Sequence, residues 1–280
     1  MTEPFPDPRA LLKQYGLAAK KSFGQNFLVA ESVYRAITDA TVSSDSDWVV
    51  ELGGGLGTLS MRLAQRLSEG KLFIVERDRD MVAVLRDQLG HLDGVEIIEQ
   101  DAVGYDFALV ARWRGEPITL CGNLPYNIAS QLLFRVVEHR DSVTRAVFMI
   151  QREMAQRVMA SPGTKAYGAM TIVLQTYLDV SVVRRVVKPT AFVPPPKVDS
   201  TVVCLTPLPG GAPRVPLHDP QRFVAVVRAG FAQRRKTLRN SLKTGFEPAE
   251  IDRMLAVAEI DGGRRAETLE IAEMAALANA

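Results

Sequence analysis

One strand end in this sequence carries an amide, a proline and an aromatic side by side. The apolar run Ile118-Thr119-Leu120-Cys121-Gly122 stops at Asn123-Leu124-Pro125-Tyr126. The Asn123 side-chain oxygen and the Leu124 carbonyl are two neighbouring hydrogen-bond acceptors. Aimed at the N–H groups of an adenine exocyclic amine, they would draw its lone pair out of conjugation and make a poor nucleophile a usable one. Pro125 narrows the backbone choices around it and so fixes the direction of the Leu124 carbonyl. Tyr126 is placed to stack on the base, which is worth roughly 1–3 kcal/mol. A base offered in this way must be single-stranded or flipped out of its helix.

Upstream lies a glycine turn with two spaced acids. Glu51-Leu52-Gly53-Gly54-Gly55-Leu56-Gly57 falls between a strand pattern and a helix pattern. Glycines there let the chain turn sharply and let a ligand approach the backbone. A dinucleotide-binding turn looks alike, so the glycines alone do not select a cofactor. Glu76 closes the next strand, Phe73-Ile74-Val75-Glu76, where a carboxylate can accept from both hydroxyls of a ribose. Asp101 closes the one after it and is positioned to accept from an adenine amine. A nicotinamide cofactor would use the first acid but gives no reason for the Asn-Leu-Pro-Tyr end.

The elements that must position these groups alternate. Strands are expected at Trp48 to Leu52, Lys71 to Val75, Val95 to Ile98, Ile118 to Cys121 and Ala146 to Ile150. Helices are expected at Glu31 to Thr41, Thr58 to Leu67, Arg79 to Leu89 and Ala129 to Glu138. That order predicts an α/β fold with a doubly wound, largely parallel sheet, whose ligand sits at the carboxyl ends of the strands. Two further strands, Val182 to Val187 and Thr201 to Leu205, flank a proline-rich loop. Pro207 to Pro213 reads as a linker and only helical segments come after it, from near Asp219. The expected division is a domain of residues 1–210 with an N-terminal arm and a smaller helical domain of 211–280.

Composition removes several classes. The chain has 280 residues, a net charge of +2, two cysteines far apart and three scattered histidines. Neither a disulfide framework nor a metal site is expected. No apolar stretch reaches the roughly 18 residues of a membrane span, and Met-Thr-Glu-Pro-Phe-Pro-Asp-Pro-Arg-Ala has no export-signal character. A cytoplasmic protein is expected. Charge is local: Arg234, Arg235, Lys236, Arg239 and Lys243 form a basic run, expected largely along one helix, and Lys20-Lys21 a lesser one.

With these motifs together the chain resembles the S-adenosylmethionine-dependent ribosomal RNA adenine dimethyltransferases, most closely the bacterial small-subunit enzymes whose loss gives kasugamycin resistance. The resemblance rests on Phe23-Gly24-Gln25-Asn26-Phe27-Leu28, Glu51 to Ser60, Glu76, Asp101, Asn123 to Ser130, Phe192 to Ser200 and Phe231 to Leu242. It implies a Rossmann-like methyltransferase sheet with a smaller C-terminal helical domain. S-adenosylmethionine would meet Asn26, Leu28, Gly53, Gly55, Glu76, Asp101 and Asn123. Asn123, Leu124, Pro125, Tyr126 and Phe192 would form the catalytic group, with Tyr126 and Phe192 sandwiching the target adenine. The basic residues would dock on RNA phosphates.

The implied reaction places two methyl groups on each of two adjacent adenines near the 3′ end of 16S rRNA, in a small-subunit precursor, during ribosome biogenesis. A monomer is expected. The family often has proline at Gly54, and glycine there implies a looser turn. Two alternatives share the fold: the antibiotic-resistance dimethylase of large-subunit rRNA, and a non-catalytic assembly factor.

Overall fold

A computed structural model describes residues 5–280, so the opening Met-Thr-Glu-Pro of the arm lies outside the described residues. The chain divides into two compact units, the first reaching to Ala155 and resuming at Val180–Pro207.

The first unit begins with α1 (Pro8–Gln14) and β1 (Phe27–Leu28), then α2 (Glu31–Thr41), β2 (Trp48–Leu52) and α3 (Thr58–Arg66). Next come β3 (Lys71–Glu76), α4 (Arg79–Leu89), β4 (Val95–Glu99), α5 (Ala108–Arg114) and β5 (Ile118–Asn123). After α6 (Ala129–Glu138) and β6 (Val143–Gln151), α7 (Arg152–Val158) and α8 (Ala169–Tyr177) intervene before β7 (Leu178–Val187), β8 (Phe192–Val193) and β9 (Ser200–Pro207).

Seven strands form one sheet in the order β4-β3-β2-β5-β6-β9-β7. The neighbours from β4 through β6 run parallel, and β9 returns antiparallel to β6. Chain order therefore reverses between β2 and β5, and a crevice forms outside the carboxyl ends of such neighbouring strands, where their connections diverge. Residues 52–56 and 123–126 leave the sheet at this place.

The helices arise from apolar spacing. In α2, Val33, Tyr34, Ile37, Thr38 and Thr41 are buried, a stripe at intervals of three and four residues. It packs with Leu63 of α3 and Leu85 and Leu89 of α4 over Val49, Ile74, Cys121 and Val147 of the sheet. Full burial of each large aliphatic chain contributes about 1.5–3 kcal/mol. Asp78 caps α4 by accepting from the Asp80 amide. Ahead of these, Leu11, Leu12, Tyr15 and Leu17 of the arm pack on Phe27, Leu56, Met81 and Val84. A short antiparallel pair, Phe27 with Val193 and Leu28 with Phe192, ties the arm to the loop between β7 and β9.

The second unit holds Gln156–Asp179 and Leu208–Ala280. Its helices are α8, then α9 (Pro220–Phe231), α10 (Leu238–Leu242), α11 (Pro248–Val257) and α12 (Ile271–Asn279). The division expected at residue 210 keeps 156–179 in the first domain, whereas the structure groups that segment with the C-terminal helices. The reason is α8 itself, in which Met170, Ile172, Val173, Leu174 and Tyr177 are all buried. A helix apolar all round needs neighbours on every side. Tyr167 just before it donates its hydroxyl to the Leu269 carbonyl at 2.9 Å.

Leu174 is fully buried. Leu174→Ala should cost about 2–5 kcal/mol by loss of contacts and a residual cavity, read as a lowered midpoint in denaturant unfolding.

Candidate active site

A cleft with about 810 Å³ of empty space, mouth included, opens at the carboxyl ends of the strands where the order reverses. Its walls are residues 23–27 of the arm, Gly53 and Gly55, and the strand-end segments 75–77, 100–102 and 123–128. The size suits a small organic ligand. Asn26, Gly53, Gly55, Glu76, Asp101, Asn123, Leu124, Pro125 and Tyr126 are thus brought together from five separate parts of the chain. Leu28 lines an adjoining space behind the glycine turn, with Tyr34, Glu51, Thr58 and Asn123. The Leu28 carbonyl accepts from the Tyr34 hydroxyl.

The glycine turn is shaped by its residue types. Gly53, Gly55 and Gly57 have φ of 86°, 54° and 76°, the left-handed region where a side chain is strained. The Gly53 amide donates to the Val75 carbonyl at 2.8 Å and the Gly55 amide to Glu76 Oε2 at 2.9 Å. Glu76 Oε1 accepts from the Arg77 and Asp78 amides, both at 2.8 Å. The carboxylate is therefore fixed by backbone donors, with Oε2 keeping acceptor capacity beside the cleft. Asp101 Oδ1 accepts from the Val103 amide at 2.9 Å, and Oδ2 from Arg77 Nη1 at 2.8 Å. The Val103 bond and the Arg77 charge hold its carboxyl below the usual range.

At the end of β5, Asn123 Nδ2 donates to the Asn26 carbonyl at 3.0 Å. That leaves Asn123 Oδ1 as an acceptor. The Leu124 amide donates to the Met149 carbonyl at 3.1 Å, while the Pro125 carbonyl accepts from Ile128 and Ala129. Among the described residues no hydrogen bond takes the Leu124 carbonyl. Two acceptors thus stand adjacent beside half-buried Tyr126.

Phe192 departs from expectation. Its side chain is 3% exposed and packs in the core with Leu28, Val187 and Val202 rather than walling the cleft. Pairing of β8 with β1 turns it inward, where burial of an aromatic is favourable. The aromatics that line the cleft with Tyr126 are Phe23 and Phe27, and the Phe23 ring lies 4.7 Å from the Arg77 guanidinium.

The basic run also differs. Arg234, Arg235 and Lys236 occupy the turn after α9, not a helix, and only Arg239 falls in α10. Arg234 is tied to Glu267 at 3.1 Å, and Arg239 to Asp252. Arg235, Lys236 and Lys243 are exposed. Lys20 is spent on ion pairs with Asp78 at 2.6 Å and Asp80 at 2.7 Å.

Residue patterns alone do not single out Gln25, Arg77, Asp78 or the pair Glu51–Ser60, all of which the structure brings to this corner. Glu51 is 1% exposed, and its Oε2 accepts from Ser60 Oγ at 2.5 Å. Burial, helped by the Glu76 charge and opposed by the Ser60 hydroxyl, pushes this carboxyl up to about 8. An acid in an apolar strand directly before a glycine turn is the signal that marks it.

Because the native state keeps the Glu51 proton where the unfolded chain releases it, its contribution to stability is full below about pH 4.5. It is lost as pH rises toward about 8, by at most about 1.4 kcal/mol per pH unit. Glu51→Gln should flatten that slope in denaturant unfolding between about pH 5 and 8. A Cβ on Gly54 would lie 2.3 Å from Ile74 Cγ2 and 3.3 Å from Leu85 Cδ1. Gly54→Ala should therefore destabilise by about 1–3 kcal/mol through overpacking, seen as a lower melting temperature. The glycine here goes with Ile74, and a proline would need that side chain to move.

A family model described as ribosomal RNA adenine dimethylase matches residues 16–280. The ribosomal RNA small subunit methyltransferase A of Anaeromyxobacter sp. (strain K) is 46% identical over 287 residues, covering 99% of this chain and 98% of its own. That of Xanthomonas campestris pv. campestris (strain B100) is 43% identical over 265 residues, 95% of this chain and 97% of its own. A dimethyladenosine transferase from Plasmodium falciparum superposes with a TM-score of 0.74 at 25% identity, covering 90% of this chain and 95% of that one. The 23S rRNA methyltransferase ErmE shares the fold, with a TM-score of 0.67 at 22% identity over 90% of this chain and 98% of its own. From its matched length and these identities, the chain belongs to the ribosomal RNA adenine dimethylase family.

Proposed function

We propose that this chain transfers methyl groups from S-adenosylmethionine to the N6 amines of two adjacent adenines near the 3′ end of 16S rRNA, two per base, in a small-subunit precursor. The observation that carries the reading is the orientation of Asn123, whose Nδ2 is held by the Asn26 carbonyl beside the open Leu124 carbonyl. The names of the relatives at 43% and 46% identity support the small-subunit target. A cytoplasmic monomer accords with that activity, and no helix among the described residues is long and apolar enough to cross a membrane.

The residues fit the cofactor. Gly53 and Gly55 allow close approach, the fixed Glu76 carboxylate suits ribose hydroxyls, and Asp101 suits the adenine amine. Asn26, Leu28 and Asn123 would border its amino-acid end. When bound, S-adenosylmethionine supplies an electrophilic methyl group with its own leaving group.

The chain's task is therefore alignment. Asn123 Oδ1 and the Leu124 carbonyl would accept from the two N–H bonds of the target amine and localise its lone pair. Pro125 keeps that carbonyl direction fixed, and Tyr126 stacks on the base. Each transfer leaves a cationic, acidic amine that gives up one N–H proton to water, so a monomethylated amine retains one N–H and one acceptor suffices in the second transfer. The exposed Arg235, Lys236 and Lys243 would contact phosphates, which gives salt-dependent affinity and no sequence reading.

Methyl-labelled S-adenosylmethionine should label small ribosomal subunits that lack adenine dimethylation, recovered as dimethyladenine in 16S rRNA. Label confined to large subunits would make it the resistance-type enzyme, and none in either would refute the reaction. Asn123→Ala should lose transfer while still binding S-adenosylmethionine in a titration, and wild-type turnover would refute the assigned role. Arg235→Ala with Lys236→Ala should lower rRNA affinity and reduce the salt slope by about 2, with cofactor affinity unchanged.

A further inference from the structure

Arm residues 23–27 form a continuous wall of the cleft, and they are held from the far side of it. Asp78 at the start of α4 has 2% of its side chain exposed, and it gathers more partners than a helix cap requires. Oδ1 accepts from the Asp80 amide at 3.2 Å, which is the cap, and from Lys20 Nζ at 2.6 Å. Oδ2 accepts from Gln25 Nε2 at 2.7 Å. Gln25 Oε1 in turn accepts from the Lys20 amide at 2.8 Å. The result is a closed ring of hydrogen bonds, Lys20 to Gln25 to Asp78 and back to Lys20, around the turn Lys21–Phe23.

This ring lies next to the groups that line the cleft. One residue past Gln25, the Asn26 carbonyl accepts from Asn123 Nδ2 at 3.0 Å. Two residues past it, Phe27 begins the pairing with β8. On the other side, the Asp78 amide donates to Glu76 Oε1, so the same corner holds the acid suited to the ribose. Burial would raise the Asp78 carboxyl, and the Lys20, Gln25 and Asp80 donors outweigh it and keep it ionised.

We propose that Asp78 is a positioning residue for methyl transfer: through Gln25 and Lys20 it clasps residues 20–28 against the start of α4, and so sets the Asn26 carbonyl that orients Asn123. This rests on the proposed methyl transfer for its consequence, and on the described geometry alone for the clasp. Asp78 itself is not among the residues that line the cleft. Its influence reaches the cleft through two neighbours, each at a fixed distance.

The pair Gln25 and Asp78 permits a polarity swap. Gln25→Glu puts a carboxylate against the Asp78 carboxylate and should open the ring. Asp78→Asn retains a good capping residue for α4. In the double variant, the amide introduced at position 78 can donate to the carboxylate introduced at position 25, while Lys20 keeps an acceptor. Hydrogen exchange of residues 20–28, measured without ligand, should speed about tenfold or more in Gln25→Glu and return toward wild type in the double variant. In labelled methyl transfer, the kcat/KM for S-adenosylmethionine should fall about tenfold in the single variant and recover in the double, with the melting temperature nearly constant.

Wild-type exchange in Gln25→Glu would overturn the clasp. Rapid exchange with unaltered kcat/KM would overturn its role in positioning, as would a double variant no better than the single. If the wild-type chain methylates no rRNA, the reaction assignment fails, whereas the exchange result still decides the clasp.

Discussion

The hydrogen bond from the Asn123 side chain to the Asn26 carbonyl joins the end of β5 to an arm 97 residues earlier in the chain. An amide presents a donor and an acceptor on opposite branches, so fixing the donor also fixes where the acceptor points. Everything around this bond serves to keep its two ends in place. The parallel sheet delivers Asn123 at the strand-order reversal, and the Leu124 amide is anchored on β6 through Met149. The arm is held by its apolar packing on Met81 and Val84, by pairing with β8 and by the ring at Asp78. Two acceptors in a fixed relation are what a weak amine nucleophile needs, since its activation depends on direction more than on acid strength.

Charge in the cleft is arranged by the same economy of partners. Glu76 and Asp101 line it, Asp78 lies buried behind Glu76, and Glu51 lies beneath the glycine turn. Each of these three acids is satisfied differently: Glu76 by backbone amides, Asp101 by an amide and Arg77, Asp78 by the arm. Among the described residues Glu51 has only a hydroxyl, and its proton stays on at neutral pH because burial disfavours the charge. An acid-rich cleft suits a cationic ligand such as a sulfonium, and the rigid donors reduce the reorganisation that binding would demand. Arg77 ties two parts of this lining together, bridging Asp101 and covering the Phe23 ring.

Most of the architecture was legible because its signals are local. The strand Trp48 to Leu52 and the helices Glu31 to Thr41, Arg79 to Leu89 and Ala129 to Glu138 were readable from spacing alone. The acids Glu76 and Asp101 were readable because strand ends in such a sheet converge on one edge. The basic run was legible as charge but not as structure, since no apolar stripe told the turn at 232–236 from a helix. Phe192 resisted for the opposite reason. A loop aromatic beside prolines looks poised for a ligand, and its pairing partner is what reveals which way the ring faces.

The sheet, the glycine turn, the strand-end acids and the Asn-Leu-Pro-Tyr group were all written in the order of residues, because each depends on periodicity or on near neighbours in the chain. It took contacts across the fold to put Phe192 in the core and Phe23 at the cleft. The same contacts make Lys20 an ion-pair partner, join 156–179 to the C-terminal helices and match Gly54 to Ile74. Such outcomes link residues far apart in sequence, where burial and the satisfaction of buried polar groups are settled by the whole fold at once.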